Sequence, residues 1–177
     1  MLRHVTSVLS KHINPVLVET GTYQGDGVET ALAMGFSRVI SIELFEILFN
    51  DCKKKFAGDN RVTLVLGDSA LILWDAIKDV NDRMTFWLDG HVFPNQEIIL
   101  GVKASPLMEE LEQISRHPIK THVIMIDDMS SLPKGGGVYK TTSFSRKDIE
   151  DAVLRINASY KISYFNRGGT DVLIAAC

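Results

Sequence analysis

Cysteine is almost missing from this chain: two among 177 residues, Cys52 and Cys177, the second at the last position. Two thiols so far apart give neither a disulfide framework nor metal-ligand spacing, which fits a reducing compartment. An excess of one charge is missing too. Nineteen Lys plus Arg stand against twenty-two Asp plus Glu, a net charge of −3, so binding nucleic acid through bulk positive charge is excluded. No run of roughly eighteen apolar residues exists to cross a membrane. Met1 to Ile13 (MLRHVTSVLSKHI) is interrupted by Arg3, His4, Lys11 and His12, so it lacks the apolar core of an export signal. Leu2, Val5, Val8 and Leu9 instead recur at helical spacing and predict an amphipathic helix over 1–13 lying on the domain. Internal repeats and low-complexity stretches are also lacking. With 45% of residues in the hydrophobic set, disorder is excluded as the main state. The length suits one domain over 1–177, able to bury a core without staples. The expectation is a soluble cytoplasmic protein, its oligomeric state open, a homodimer included.

What the sequence does have is a rhythm. Short apolar runs, Pro15–Thr20, Arg38–Glu43, Arg61–Leu66, Met84–Asp89 and Thr121–Asp127, alternate with amphipathic stretches. Continuous rather than alternating apolar runs suit parallel strands covered on both faces. Helices are predicted over Gly27–Met34, Leu44–Phe56, Ala70–Val80, Ser105–Arg116 and Ser145–Asn157. The pattern reads as a Rossmann-like, doubly wound α/β sheet. The rhythm breaks at the end. Tyr160–Phe165 and Thr170–Cys177 are separated by too few residues for a crossover helix, so they form an antiparallel hairpin. Seven strands result, mostly parallel, with the hairpin at the C-terminus.

Two connections are long, Gly90 to Ala104 and Asp128 to Phe144. Both leave strand C-terminal ends, where open α/β sheets bind ligands. Lys134 with Gly135, Gly136 and Gly137 reads as a candidate substrate lid. The first strand runs into Glu19-Thr20-Gly21-Thr22-Tyr23-Gln24-Gly25-Asp26-Gly27, a loop that lets backbone approach a ligand at a helix N-terminus. Glu43 closes the second strand, where a carboxylate can accept from both ribose hydroxyls. Asp68, in Gly67-Asp68-Ser69-Ala70 after the third strand, can accept from an adenine amino group. Acids at three successive strand ends favour a nucleoside site over unrelated helix caps.

In that order ETGTYQG, SIE, GDSA, FWLDGH and MIDD resemble the motifs of class I S-adenosylmethionine-dependent methyltransferases, from about Pro15 to Cys177. The glycine loop with its central tyrosine is similar to metal-dependent, catechol-type small-molecule O-methyltransferases. The resemblance implies that Glu19, Gly21, Tyr23 and Gly25 surround the methionine part of S-adenosylmethionine and that Glu43 holds the ribose. It places Asp68 and Ser69 near the adenine and Asp89 near the methyl donor. Tyr23 stands where the superfamily commonly has glycine.

Asp89, Asp127 and Asp128 end adjacent strands about five ångströms apart. Unrelieved, their repulsion would force a proton onto one of them, and a divalent cation, Mg²⁺ or Ca²⁺, would remove it. The resemblance implies the same three residues as metal ligands, although an asparagine often stands where Asp128 is. The alternative has Asp89 serving the donor while Asp127 or Asp128 caps a loop. The catechol-type lysine three residues after the metal Asp is Val92 here. His91 is then the nearest candidate base, with an unperturbed pKa close to working pH; ring packing or a plain loop histidine explains it equally.

The function expected is S-adenosylmethionine-dependent O-methylation of a small-molecule hydroxyl, with or without a cation. One rival is a non-catalytic nucleotide-binding or interaction module that kept the fold. A second is a macromolecule methylase whose partner binds the substrate. The third, an NAD(P)-linked short-chain dehydrogenase, matches TGxxxGxG in the loop but lacks the Tyr-x-x-x-Lys pair, because none of the four tyrosines has lysine four residues on.

Overall fold

The computed structural model describes residues 6–92, 104–131, 142–166 and 171–177. Five stretches built from β-branched and large apolar residues form parallel strands: β1 (Val16–Thr20), β2 (Arg38–Glu43), β3 (Val62–Leu66), β4 (Met84–Leu88) and β5 (Val123–Ile126). Helices follow the first four: α2 (Asp26–Ala33), α3 (Glu46–Lys55), α4 (Ser69–Ile77) and α5 (Leu107–Arg116). A short α1 (Thr6–Leu9) precedes β1, and α6 (Arg146–Ile156) comes before the antiparallel pair β6 (Lys161–Asn166) and β7 (Asp171–Ala176). The seven-stranded sheet runs β3-β2-β1-β4-β5-β7-β6, with β7 inserted antiparallel between β5 and β6. This is the mostly parallel, Rossmann-like sheet with terminal hairpin that the apolar rhythm predicts.

Side chains alternate across the sheet and so divide the core. Val16, Val18, Ile40, Phe86 and Ile124 join α4, α5 and α6 on one face. Leu17, Val39, Trp87 and Met125 meet α1 and α2 on the other. Complete coverage holds for β1 and β4, where every residue is buried. It does not hold for β3 or β6, which lie at the sheet edges and are half-exposed. Helix boundaries follow local chemistry. α4 starts where the Asp68 carboxylate accepts from the Ala70 amide at 2.9 Å, and α6 starts at a capping box made by Ser145 and Asp148.

The N-terminal helix is shorter than its periodicity predicts. Among the described residues it spans only Thr6–Leu9, because the chain then turns to tie itself to β4. Asn14 donates to the Met84 carbonyl at 3.2 Å, and Thr85 donates its hydroxyl to the carbonyl of His12 at 2.5 Å. No helix among the described residues is long and apolar enough to cross a membrane. Lys134 and Gly135–Gly137, the lid candidate, lie outside the described residues, as do 93–103 of the first long connection.

Candidate ligand-binding site at the strand ends

The parallel strands end along one edge, and a cavity of about 760 Å³ opens there. Glu19, Gly21, Tyr23, Glu43, Asp89 and His91 line it, with apolar wall from Phe45, Ile47, Leu48 and Trp87. A narrower slot continues past Glu43 between Phe45, Asp68, Ser69 and Val92. Of the residues singled out by sequence, Glu19, Gly21, Tyr23, Glu43, Asp68, Ser69, Asp89 and His91 meet on these two connected walls. Gly25 lies behind them, its α-carbon facing the Phe56 ring.

The glycine loop is wedged between neighbours on both sides. Gly21 has a φ of +85°, and a Cβ there would lie 2.6 Å from the Asp89 carbonyl oxygen. Gly27, in the first turn of α2, sits directly on the Glu19 carboxylate, which a Cβ would strike. Only glycine permits both approaches. Tyr23 takes a left-handed φ of 51°, a conformation costly for a bulky side chain. Hydrogen bonds hold it there: its amide donates to Glu43 Oε2 at 2.7 Å, and its carbonyl accepts from Cys52 Sγ at 3.3 Å. Glu43 Oε1 accepts from the Phe45 amide at 2.9 Å. One carboxylate therefore ties the glycine loop to the turn after β2.

Glu19 points to the opposite face of the sheet from Thr20, as alternation requires. It is buried, and Ser41 donates to Glu19 Oε2 at 2.7 Å while Thr22 and Ser41 share a 2.6 Å hydrogen bond. Burial raises the Glu19 pKa to about 8, against the lowering effect of Ser41. Asp89 is raised to about 6, again by burial first, with His91 opposing and Asp127 and Asp128 adding to it.

The cluster of cation-binding type is not the expected one. Among the described residues, ligand atoms of Asp89, His91 and Asp128 lie within 4.8 Å of one another. His91 Nδ1 is 3.3 Å from Asp89 Oδ1, and its Nε2 is 3.5 Å from Asp128 Oδ2. Asp127 is buried, and its Oδ1 accepts from the Asp128 amide at 2.8 Å. Asp128 has a φ of 58°, which explains why this position suits Asp or Asn. Two carboxylates and an imidazole fit a divalent ion. The nitrogen donor moves the preference from Mg²⁺ or Ca²⁺ toward Mn²⁺ or Zn²⁺. Val92 is buried, with its amide donating to the Ala104 carbonyl at 3.0 Å, so no polar group stands at that position.

Sequence reasoning missed four contributors. Ser41 was a polar residue within an apolar strand, opposite Glu19 in the register, and that was its signal. Gly27 was visible only as one more glycine. Glu110 and Gln113 interrupt the apolar stripe Leu107, Leu111 and Ile114 of α5 and are themselves buried. Ser69 donates to Glu110 Oε1 at 2.6 Å. Burial raises the Glu110 pKa to about 7, with the Ser69 and Thr20 hydroxyls opposing.

No protein-family model matches this sequence, and no curated protein matches it. Solved structures do. An O-methyltransferase from Bacillus cereus in complex with S-adenosylhomocysteine superposes with a TM-score of 0.62 at 15% identity, over 97% of this chain and 78% of that one. A protein provisionally named a caffeoyl-CoA O-methyltransferase, from Staphylococcus aureus, gives 0.62 at 12% identity over 99% and 81%. A provisionally assigned methyltransferase from Streptococcus mutans, also in complex with S-adenosylhomocysteine, gives 0.56 at 15% over 99% and 96%. At such identities the likeness defines the fold, which is the Rossmann-like methyltransferase fold with antiparallel C-terminal strands.

Proposed function

We propose that this chain is an S-adenosylmethionine-dependent methyltransferase acting on the hydroxyl of a small molecule. One observation carries the reading: the glycine loop, Glu43 and Asp89 converge on a single cavity large enough for a nucleoside-amino acid conjugate, with a titratable imidazole on its wall. Bound S-adenosylmethionine would supply an electrophilic methyl group on a sulfonium. The chain's own residues do the rest. Glu43 keeps lone pairs beyond its two amide bonds for ribose hydroxyls. Asp68, already capping α4 through one oxygen, offers the other to the adenine amino group. Gly21 brings backbone against Asp89 and so holds the donor beside that carboxylate.

An oxygen nucleophile needs its proton removed. His91 would accept it through Nε2, with the acceptor hydroxyl in the place of Asp128, while Asp89 holds Nδ1. Alignment and exclusion of water supply the remaining catalysis. A divalent ion held by Asp89, Asp128 and His91 would instead lower the pKa of an acceptor hydroxyl, with His91 then a ligand and not the base. The same 3.3 and 3.5 Å contacts favour a second reading, in which His91 bridges the carboxylates and the chain binds its ligand without turnover. The dehydrogenase alternative loses ground, because the sheet ends in an antiparallel β7-β6 pair.

Calorimetry with S-adenosylmethionine and S-adenosylhomocysteine tests binding, and release of labelled methyl from the donor into a metabolite pool tests turnover. Saturable binding with transfer supports the enzyme; binding without transfer supports the module. Neither ligand producing heat or a thermal shift overturns both.

A further inference from the structure

Of the loops that line the candidate site, three meet on the same side of the sheet: the ends of β1 and β4 and the turn from β3 into α4. They need a common reference if the cavity is to keep one shape. Thr20, the last residue of β1, faces α4 and α5. Its Oγ1 accepts from the Asp89 amide at 3.2 Å, and the hydroxyl lies on the side of the sheet where Glu110 is buried. Ser69, which opens α4, donates to the same carboxyl. Gly90 rests on these three side chains: a Cβ there would meet Glu110 Oε1 and Thr20 Oγ1 at 3.1 Å and Ser69 Oγ at 3.2 Å. One turn along α5, Gln113 donates to the Ser69 and Ala70 carbonyls at 3.0 and 2.9 Å and accepts from the Trp74 amide at 2.7 Å. α5 is thus fixed to α4 independently of Glu110.

A carboxyl within an apolar helix stripe is a poor way to gain stability, since an aliphatic residue would pack there without desolvation cost. Resting on the reading above, we propose that Glu110 is a positioning residue: with Thr20 and Ser69 it forms a platform that sets the height of the Asp89–Gly90–His91 turn, and hence the ligand-binding geometry. It touches no ligand itself. Removing the carboxyl leaves the Ser69 hydroxyl without its acceptor, takes Glu110 Oε1 from beneath Gly90 and lets the turn settle.

The test compares full-length wild type with Glu110→Ala, Glu110→Gln and Thr20→Val, the last well suited to a buried strand. Affinity for S-adenosylhomocysteine should fall about tenfold in Glu110→Ala and in Thr20→Val and recover to within about threefold in Glu110→Gln, which keeps an acceptor for Ser69 and an oxygen beneath Gly90. The double variant should be little weaker than either single one, as expected of groups acting as a unit. Independently of any ligand, the His91 imidazole resonances should move in Glu110→Ala and Thr20→Val but not in Leu73→Ala, a cavity control in the same core. Unmoved His91 resonances overturn the proposal, as does unchanged affinity in Thr20→Val or Glu110→Gln binding as weakly as Glu110→Ala. Wild type failing to bind while the resonances move would sink the proposed function and leave the platform standing.

Discussion

Glu43 Oε2 accepts a 2.7 Å hydrogen bond from the backbone amide of Tyr23, joining the end of β2 to a left-handed residue in the loop after β1. The carboxylate thereby stabilises the conformation that the tyrosine side chain disfavours. Glu43→Ala should therefore do two things at once: lower the melting temperature by a few degrees and weaken S-adenosylhomocysteine binding by about 10-fold to 100-fold, the range for charged hydrogen bonds. Tyr23→Gly in the Glu43→Ala background should recover part of the melting temperature, because glycine needs no help at that φ. Calorimetry and melting curves on the two variants decide it; full affinity in Glu43→Ala would refute the role.

Gly21 and Gly27 differ in kind. Gly21→Ala forces a positive φ and a 2.6 Å contact with backbone at Asp89, which should cost about 1–3 kcal/mol and abolish measurable ligand binding. Gly27→Ala meets a side chain instead and should displace Glu19 while leaving the loop backbone in place. Its expected signature is a smaller loss of affinity with a reduced melting temperature. Equal losses in both variants would contradict this distinction.

Cation binding, where it occurs, should follow the observed trio. A melting-temperature increase with Mn²⁺ or Zn²⁺ should exceed that with Mg²⁺ and vanish with chelator. Asp128→Asn should reduce it strongly, whereas Asp127→Asn, altering a loop cap, should leave it. The opposite pattern across the pair would restore Asp127 as a ligand.

At the other end of the sheet His122 accepts from the Met84 amide through Nδ1 at 3.0 Å, so its Nε2 carries the proton and donates to His117 Nδ1 at 2.9 Å. His117 in turn donates to the Val80 carbonyl at 3.0 Å. Burial, then His117, lower the His122 pKa from 6.5 to about 3. The unfolded chain gains a proton near 6.5 that the native chain refuses, so this contribution to stability is complete above that pH and drains away down to about 3. His122→Asn, which keeps an acceptor for Met84, should melt lower at pH 7 but fall less steeply between pH 6.5 and 4.

Glu19 and Glu110 act in the opposite sense, raised from 4.5 to about 8 and about 7. Their native-state protons stabilise the fold below pH 4.5, and that stabilisation is lost as pH rises through 7 and 8. The loss from these two groups should run between about pH 4.5 and 8, opposed below about pH 7.5 by His122, a term that cancels when wild type and a Glu110 variant are compared. Glu110→Gln should flatten this decline, so that the variant gains on wild type with rising pH. Parallel curves for the two proteins would show that Glu110 is not protonated in the native state.

The sequence by itself determined the strands, the parallel direction of the first five, and the closing hairpin. Those features rest on local quantities: apolar runs of strand length, glycine at turns, and a gap after Phe165 too short for a helix. It also marked Glu19, Gly21, Glu43, Asp68 and Asp89, because residues at strand ends are bound to meet along one edge. What only the tertiary structure decided is where side chains turn once they arrive. Whether Asp127 or His91 joins Asp89 and Asp128 depends on a left-handed residue and a loop cap. Likewise Glu110 reaches Thr20 and Ser69 only because α5 packs against α4. The pairings Ser69 with Glu110 and His91 with Asp128 join residues about 40 positions apart, and no local pattern carries that information.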